Sequence, residues 1–247
     1  MILALHGFLG RAADWDVFRR DWSELGDGEM MTPSLFSPAV KSWAPTVGQS
    51  MVEWARVFGA EINQLRGNKK IILVGYSLGG RLALHLLLER PELFSHAVIV
   101  SAGTGIEGET ERQVRREADE KWAQRFEREA WEDVVRDWNA QPVFSGTPKD
   151  MPAPARSEPH FNRSALSAAL REWSPARQEP LLPRLPEIQC PLLWVAGEKD
   201  PAYVQQGERA VKLMNKALFF KIPGVGHRAP WESPKLFGQH VKDFLKA

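Results

Sequence analysis

The chain has 247 residues, 43% hydrophobic and 26% charged, with 32 Lys and Arg against 31 Asp and Glu and a formal charge of +1 at pH 7. That balance excludes the electrostatic footprint of a nucleic-acid or anionic-membrane binder, and no apolar run approaches the roughly 20 residues that span a bilayer. A single cysteine, Cys190, excludes an internal disulfide framework and a cysteine-based structural metal site. His6 and Gly7 interrupt the short apolar start, so the N-terminus does not read as a signal peptide. The expectation is a cytoplasmic α/β protein, one core domain plus an insertion. Ten tryptophans against two tyrosines are read as core packing.

In chain order, Ile2–Leu5 and residues 71–75, 97–100 and 192–196 are short Ile/Val/Leu runs with no polar alternation, the pattern of strands buried on both faces. Ala217–Ile222 and residues 29–32 are weaker candidates. Met51–Leu65 places Met51, Trp54, Ala55, Phe58 and Ile62 on one helical stripe, and residues 81–89 form an apolar helix closed by Pro91. Strands alternating with helices predict a doubly wound, mostly parallel sheet of about six strands.

Between residues 103 and 180 the strand signals vanish. Val114, Ala118, Trp122 and Phe126 recur every fourth residue, and Trp131, Val134, Val135 and Trp138 follow a second helical spacing. A Pro-rich stretch, 142–159, then leads to a third helix at 164–173. A helical block between two strands predicts an inserted cap at 103–180 on a core of 1–102 and 181–247.

Residues 71–74 run into Gly75-Tyr76-Ser77-Leu78-Gly79-Gly80 and then a helix, the G-x-S-x-G elbow in its strand–turn–helix setting. The turn lifts the serine side chain above the sheet. Glycines at 75 and 79 let strand and helix approach closely. A Gly-rich turn with a passive serine is the plain alternative. Asp200 follows the strand 192–196 in Gly197-Glu198-Lys199-Asp200, with Glu198 as its rival, and His227 follows the last strand candidate. The order Ser, Asp, His is that of the hydrolase fold. In such a triad His227 would take the serine proton and Asp200 would hold the imidazole. His85, His96 and His240 read as structural residues. His6-Gly7-Phe8 after the first strand offers the Phe8 amide opposite that of Leu78, a predicted oxyanion hole.

Residues 103–180 carry ten Arg and two Lys, whereas the rest of the chain has ten of each. Arginine suits bidentate carboxylate recognition, although fifteen Asp and Glu in the same block could pair with these residues. Arg81, one turn past Ser77, is the cation best placed to serve the cleft, so Arg81→Ala is expected to impair activity with little loss of stability.

The residues resemble the 2-succinyl-6-hydroxy-2,4-cyclohexadiene-1-carboxylate synthases of the menaquinone pathway. The likeness spans nearly the whole chain: His6-Gly7-Phe8-Leu9-Gly10 with Asp14-Trp15, Val74 and the elbow through Arg81, the cap segments 112–126 and 138–144, Arg156-Ser157, Asn162, Leu166, Leu170 and Gln178, then Gly197-Glu198-Lys199-Asp200 and Gly226-His227. The resemblance implies an α/β-hydrolase fold and a lyase that eliminates pyruvate from an enolpyruvyl adduct, with Ser77, His227 and Asp200 abstracting the proton and Phe8 and Leu78 stabilising the resulting charge. It further implies that Arg81, Arg115 and Arg156 bind a small polycarboxylate substrate and that Tyr76, Trp138 and Phe144 line the pocket, with no metal or organic cofactor. Two departures stand out. The family's Asp-Leu-Pro-Gly-His-Gly loop is replaced by Ser34-Leu35-Phe36-Ser37-Pro38-Ala39. Nothing precedes the strand before His6 that would form the sheet's usual first strands, which predicts an exposed edge. An esterase or C–C hydrolase on the same scaffold, or a non-catalytic acid-binding module, are the competing readings.

Overall fold

The computed structural model describes residues 1–25, 27–39 and 43–246. In chain order its elements begin with β1 (Ile2–Leu5), α1 (Asp16–Arg19), β2 (Met30–Met31) and α2 (Met51–Leu65). β3 (Ile71–Tyr76), α3 (Leu78–Glu89) and β4 (Phe94–Val100) follow, and then three helices, α4 (Glu109–Arg128), α5 (Trp131–Asn139) and α6 (Arg163–Glu172). The chain closes with β5 (Leu192–Gly197), α7 (Pro201–Val211), β6 (Ala217–Ile222), α8 (Ala229–Glu232) and α9 (Pro234–Lys246).

The six strands form one sheet in the order β2-β1-β3-β4-β5-β6, and every pairing is parallel. β1, β3 and β5 are buried along their whole length, which is why their sequences show no polar alternation. Successive side chains still go to opposite faces. Leu3, Leu5, Ile71 and Leu73 join the layer of α2 and α3, while Ile2, Ala4, Ile72 and Val74 pack with Phe18 of α1 and Phe237 of α9. Helices therefore cover both faces. β1 lies inside the sheet, with the edge taken by the two-residue β2, half-buried at Met30 and Met31. The expected exposed edge is thus a minimal strand that presents few unpaired backbone groups.

Six of the ten tryptophans (15, 22, 54, 131, 173 and 194) are buried in the two cores, so packing accounts for most of the tryptophan excess. α2 begins at a capping box, with the Glu53 amide donating to Ser50 Oγ and the Ser50 amide to Glu53 Oε2. Among the described residues no helix is long and apolar enough to cross a membrane.

The helical block between β4 and β5 departs from its predicted pattern at α4. Val114 is 64% exposed and Ala118 is also exposed, whereas Asp119, Ala123 and Phe126 face inward. The buried stripe is therefore rotated onto a face that carries a carboxylate, because α4 looks onto a polar cavity near its first half. α5 follows its predicted stripe, with Trp131 and Val134 buried. α6 is capped by Asn162, whose side chain accepts from the Ala165 amide.

Candidate active site

β3 and α3 meet at Ser77, whose φ of 53° lies in the left-handed region that non-glycine residues rarely adopt. Such local strain is held only where surrounding packing over-determines it. Here the close approach of β1, β3 and α3 does so: a Cβ on Gly75 would lie 2.5 Å from the Gly79 carbonyl oxygen, and one on Gly79 would lie 2.3 Å from that of Leu5. Neither contact is with a flexible side-chain end, so Gly79→Ala is expected to lower stability by about 3 kcal/mol or more, or to abolish folding. A urea unfolding midpoint equivalent to a loss below about 1 kcal/mol would contradict this packing.

Ser77 heads a chain of hydrogen bonds. Its Oγ lies 3.2 Å from His227 Nε2, and His227 Nδ1 lies 2.7 Å from Asp200 Oδ2. His227 and Asp200 are both buried, at 3% and 5% exposure. Asp200 directly precedes α7, while Glu198 is exposed and accepts the Gly224 amide, which stabilises the turn before His227. The geometry therefore pairs His227 with Asp200 and leaves the rival carboxylate to a structural task. Three aromatic rings surround the imidazole: Tyr203 at 4.6 Å, Tyr76 at 5.5 Å and Phe144 at 5.8 Å between centroids. Both tyrosines of the chain thus flank one histidine. Burial raises the pKa of each phenol, which keeps both neutral and able to donate a hydrogen bond.

Leu78 is the first residue of α3, where amides have no intrahelical acceptor. Among the described residues neither its N–H nor that of Phe8 donates to another protein group. Loop 6–10 is fixed from behind by His6, whose Nε2 accepts the Leu35 amide at 3.0 Å and whose Nδ1 lies 2.8 Å from the Gly7 carbonyl. The unusual segment 34–39 therefore has a definite job. It buries Leu35 and Phe36 against this loop and accepts the Asn162 amide at the Phe36 carbonyl.

Those two bonds require a neutral imidazole protonated at Nδ1. Burial lowers the His6 pKa to about 4, and that of His85, whose ring nitrogens have no partner, also to about 4. The unfolded chain titrates near pH 6.5, so between 6.5 and 4 it binds protons that the folded chain refuses. Stability from these residues is complete above pH 6.5 and declines as pH falls through that window, by about 1.4 kcal/mol per unit for each histidine. Denaturant unfolding at pH 7 and pH 5 should show this loss, and His85→Leu should shrink it. An unchanged loss in that variant would contradict the assignment.

Two adjoining cavities lie at the site, and Ser77 lines the first of them. The first, about 270 Å³, is lined by Ser77, Leu78, Arg81, Arg115, Tyr203 and His227 among others. The second, about 180 Å³, includes Tyr76, Arg156, Arg228, Asp14 and Glu232. Phe8, Trp138 and Phe144 line both. The predicted site residues thus converge, with Tyr76 and Arg156 falling in the second cavity, away from Ser77.

The arginines differ in how they are engaged. Arg115 Nε reaches both oxygens of Asp119 at 2.9 Å, and Ser174 Oγ donates to Asp119 at 2.7 Å. Arg156 uses both terminal nitrogens on Asp14, at 2.9 and 2.8 Å. Arg81 donates from Nη1 to the Trp173 carbonyl at 2.8 Å and to Gln178 Oε1 at 3.2 Å, and no described carboxylate lies within 4 Å of it. Burial, with Arg115 nearby, lowers its pKa to about 10, so it is charged at neutral pH. These hydrogen bonds correct the expectation for Arg81→Ala, because truncation would leave two buried acceptors unsatisfied and cost stability as well as activity.

Sequence reasoning missed Tyr203, Asp119 and Arg228. Asp119 sits four residues after Arg115, a readable helical ion-pair spacing; Tyr203 was marked only by lying three residues after Asp200, and Arg228 only by following His227. Among the described residues no cluster of three or more His, Cys, Asp or Glu is placed to hold a metal ion.

A parallel α/β sheet with this strained serine elbow defines an α/β hydrolase. The chain belongs to the alpha/beta hydrolase family, whose model matches residues 2–239. Within it, the chain is similar to 2-succinyl-6-hydroxy-2,4-cyclohexadiene-1-carboxylate synthases: 32% identical to that of Enterobacter sp. (strain 638) over 99% of this chain and 91% of the relative, and 29% identical to that of Serratia proteamaculans (strain 568) over 99% and 92%. Among solved structures, MenH from S. aureus superposes with a TM-score of 0.85 at 24% identity, covering 100% of this chain and 93% of that one. A thermophilic esterase from Thermogutta terrifontis superposes at 0.76 with 18% identity, covering 99% and 89%. Both structural likenesses bear on the fold alone.

Proposed function

We propose that the protein is a carbon–oxygen lyase that converts 2-succinyl-5-enolpyruvyl-6-hydroxy-3-cyclohexene-1-carboxylate and releases pyruvate, forming 2-succinyl-6-hydroxy-2,4-cyclohexadiene-1-carboxylate. The observation that carries this reading is the Ser77–His227–Asp200 chain opening onto a cavity that holds Arg81, a cation without a carboxylate partner. The relatives' names supply the product; the chemistry follows from the two structures. Ring carbon 2 is flanked by the succinyl ketone, so its C–H is acidic. Ser77, with His227 taking its proton, acts as the base. The electron pair of that bond forms the 2,3 double bond, the 3,4 double bond shifts to 4,5, and the bond from carbon 5 to the enolpyruvyl oxygen breaks. The departing enolpyruvate takes up a proton and becomes pyruvate.

Negative charge develops on the succinyl ketone oxygen during proton removal. The amides of Phe8 and Leu78 are free to receive it, and preorganised donors of this kind commonly supply the largest electrostatic contribution. Asp200 holds the imidazole and stabilises its cation. Arg81 and Arg115 take substrate carboxylates, Arg115 through the terminal nitrogens that Asp119 leaves free; Arg156, whose terminal nitrogens Asp14 occupies, borders the second cavity, and Tyr76, Trp138 and Phe144 shape the pocket. Residues 103–180 form the cap over a core of 1–102 and 181–247.

The product is a ring diene conjugated with a ketone, so its appearance is followed directly by near-ultraviolet absorbance. Enzyme-dependent growth of that band matched one-for-one with pyruvate supports the reading. Pyruvate-free turnover of p-nitrophenyl acetate with a burst would instead support an acyl-enzyme esterase.

A further inference from the structure

The second cavity contains a cation that forms no direct ion pair among the described residues. Arg156 is committed to Asp14 through both terminal nitrogens. Arg228, the residue after His227, has no described carboxylate within 4 Å of its guanidinium. Its Nη2 donates to Asn139 Oδ1, and its Cζ sits 3.8 Å from the centre of the Phe144 ring. Glu232, the other acid of this cavity, is occupied by neutral donors: Thr147 Oγ1 at 2.8 Å, and the amides of Gly226 and Arg228. Arg228 is half-buried, and Glu232 acts on it through space but lies beyond ion-pair distance, so its desolvation is only partly offset and an incoming anion relieves the rest.

Position then selects which anion. If the ketone oxygen lies at the Phe8 and Leu78 amides, the rest of the succinyl group, two methylenes and a carboxylate, must leave that point in some direction. Phe8 lines both cavities, together with Trp138 and Phe144. The wall around Arg228 offers Met151, Pro152, Pro154 and Trp231 to the methylenes. The ring and the departing enolpyruvyl group stay over Ser77, near Arg81 and Arg115.

We infer that Arg228 is the receptor for the chain-terminal carboxylate of the substrate's succinyl arm, which passes Phe8 into the second cavity. Arg228 is a specificity residue here, and its assignment rests on the lyase reading above. The ligand class is a polycarboxylate, three acid groups in the adduct and two in the product, whose succinyl acid occupies a different cavity from the ring acid.

The test uses the full-length protein and three probes: the aromatic product analogue 2-(3-carboxypropanoyl)benzoate, 4-oxo-4-phenylbutanoate, which keeps only the chain carboxylate, and 2-acetylbenzoate, which keeps only the ring carboxylate. Binding is read by calorimetry for wild type, Arg228→Gln and Arg228→Lys. Arg228→Gln should weaken the first two probes by about 10- to 100-fold, as expected for loss of one charge-assisted contact, and leave 2-acetylbenzoate within about 2-fold. Arg228→Lys should recover most of the loss, which also serves if the glutamine variant folds poorly. With the enolpyruvyl adduct, Arg228→Gln should lower kcat/KM chiefly through a higher KM. Equal weakening of all three probes, or no change for 4-oxo-4-phenylbutanoate, would overturn the assignment of Arg228. A wild type that binds the probes with this pattern yet releases no pyruvate above background would instead remove the lyase reading and leave the subsite standing.

Discussion

Replacing His227 by glutamine is expected to lower kcat for pyruvate release by about 10³- to 10⁴-fold, with KM moving far less. Glutamine can still reach a hydroxyl but cannot accept and hold its proton at neutral pH. Asp200→Asn should approach the same loss for a different reason. The 2.7 Å contact to His227 Nδ1 fixes the tautomer that leaves Nε2 free to accept from Ser77, and an amide there no longer enforces it. On the proposed mechanism the three residues act as one unit, so the double variant should be little worse than His227→Gln alone. Losses that multiply across the two substitutions would show that they serve separate functions. Single-turnover pyruvate release for the four proteins decides the matter.

Arg81→Met is the second large expectation. Its guanidinium is buried beside Ser77, with Nη1 spent on the Trp173 carbonyl and Gln178. On the proposed function, removal takes away the partner of a substrate carboxylate, and it leaves the Trp173 carbonyl and Gln178 without this donor. A fall in kcat/KM of about 10²- to 10³-fold is expected, from the 2–5 kcal/mol typical of truncating one side of a buried charge pair. A stability loss of about 1–3 kcal/mol should accompany it. Arg81→Lys retains the charge but cannot make the same fork of contacts, so it should recover only part of the activity. A loss of tenfold or less in kcat/KM for Arg81→Met would show that Arg81 braces α3 against residues 173–178 without binding substrate.

Much of the fold is legible because its physics is local. The strands announce themselves as apolar runs, and the predicted helix Met51–Leu65 matches α2 at both ends. The serine elbow is readable because the close approach at Gly75 and Gly79 leaves no alternative to glycine. His227 and Asp200 are found because chain order and strand ends place them at the same rim. What stays hidden depends on partners distant in sequence or on burial without hydrophobicity. The inward face of α4 includes Asp119, so an apolar stripe through Val114 and Ala118 points the wrong way. Arg156 and Asp14 are 142 residues apart, and no spacing rule anticipates that pair. The divided cavity is equally invisible, since the same three aromatic residues wall both halves. Likewise, arginine enrichment in 103–180 points to anion recognition, yet Arg115 and Arg156 hold carboxylates of the protein itself. The two site arginines without such a partner, Arg81 and Arg228, both lie outside that block.

The most direct measurement is pyruvate release from the enolpyruvyl adduct, generated in situ and followed with a coupled dehydrogenase, for wild type against Ser77→Ala. The adduct loses pyruvate spontaneously, so the quantity is the rate above the enzyme-free control. Fast release by wild type that falls to near the control rate in Ser77→Ala is the predicted result. Release at the control rate by wild type, or an equal rate from both proteins, would contradict the assignment of Ser77, His227 and Asp200 as the base of a pyruvate-eliminating lyase.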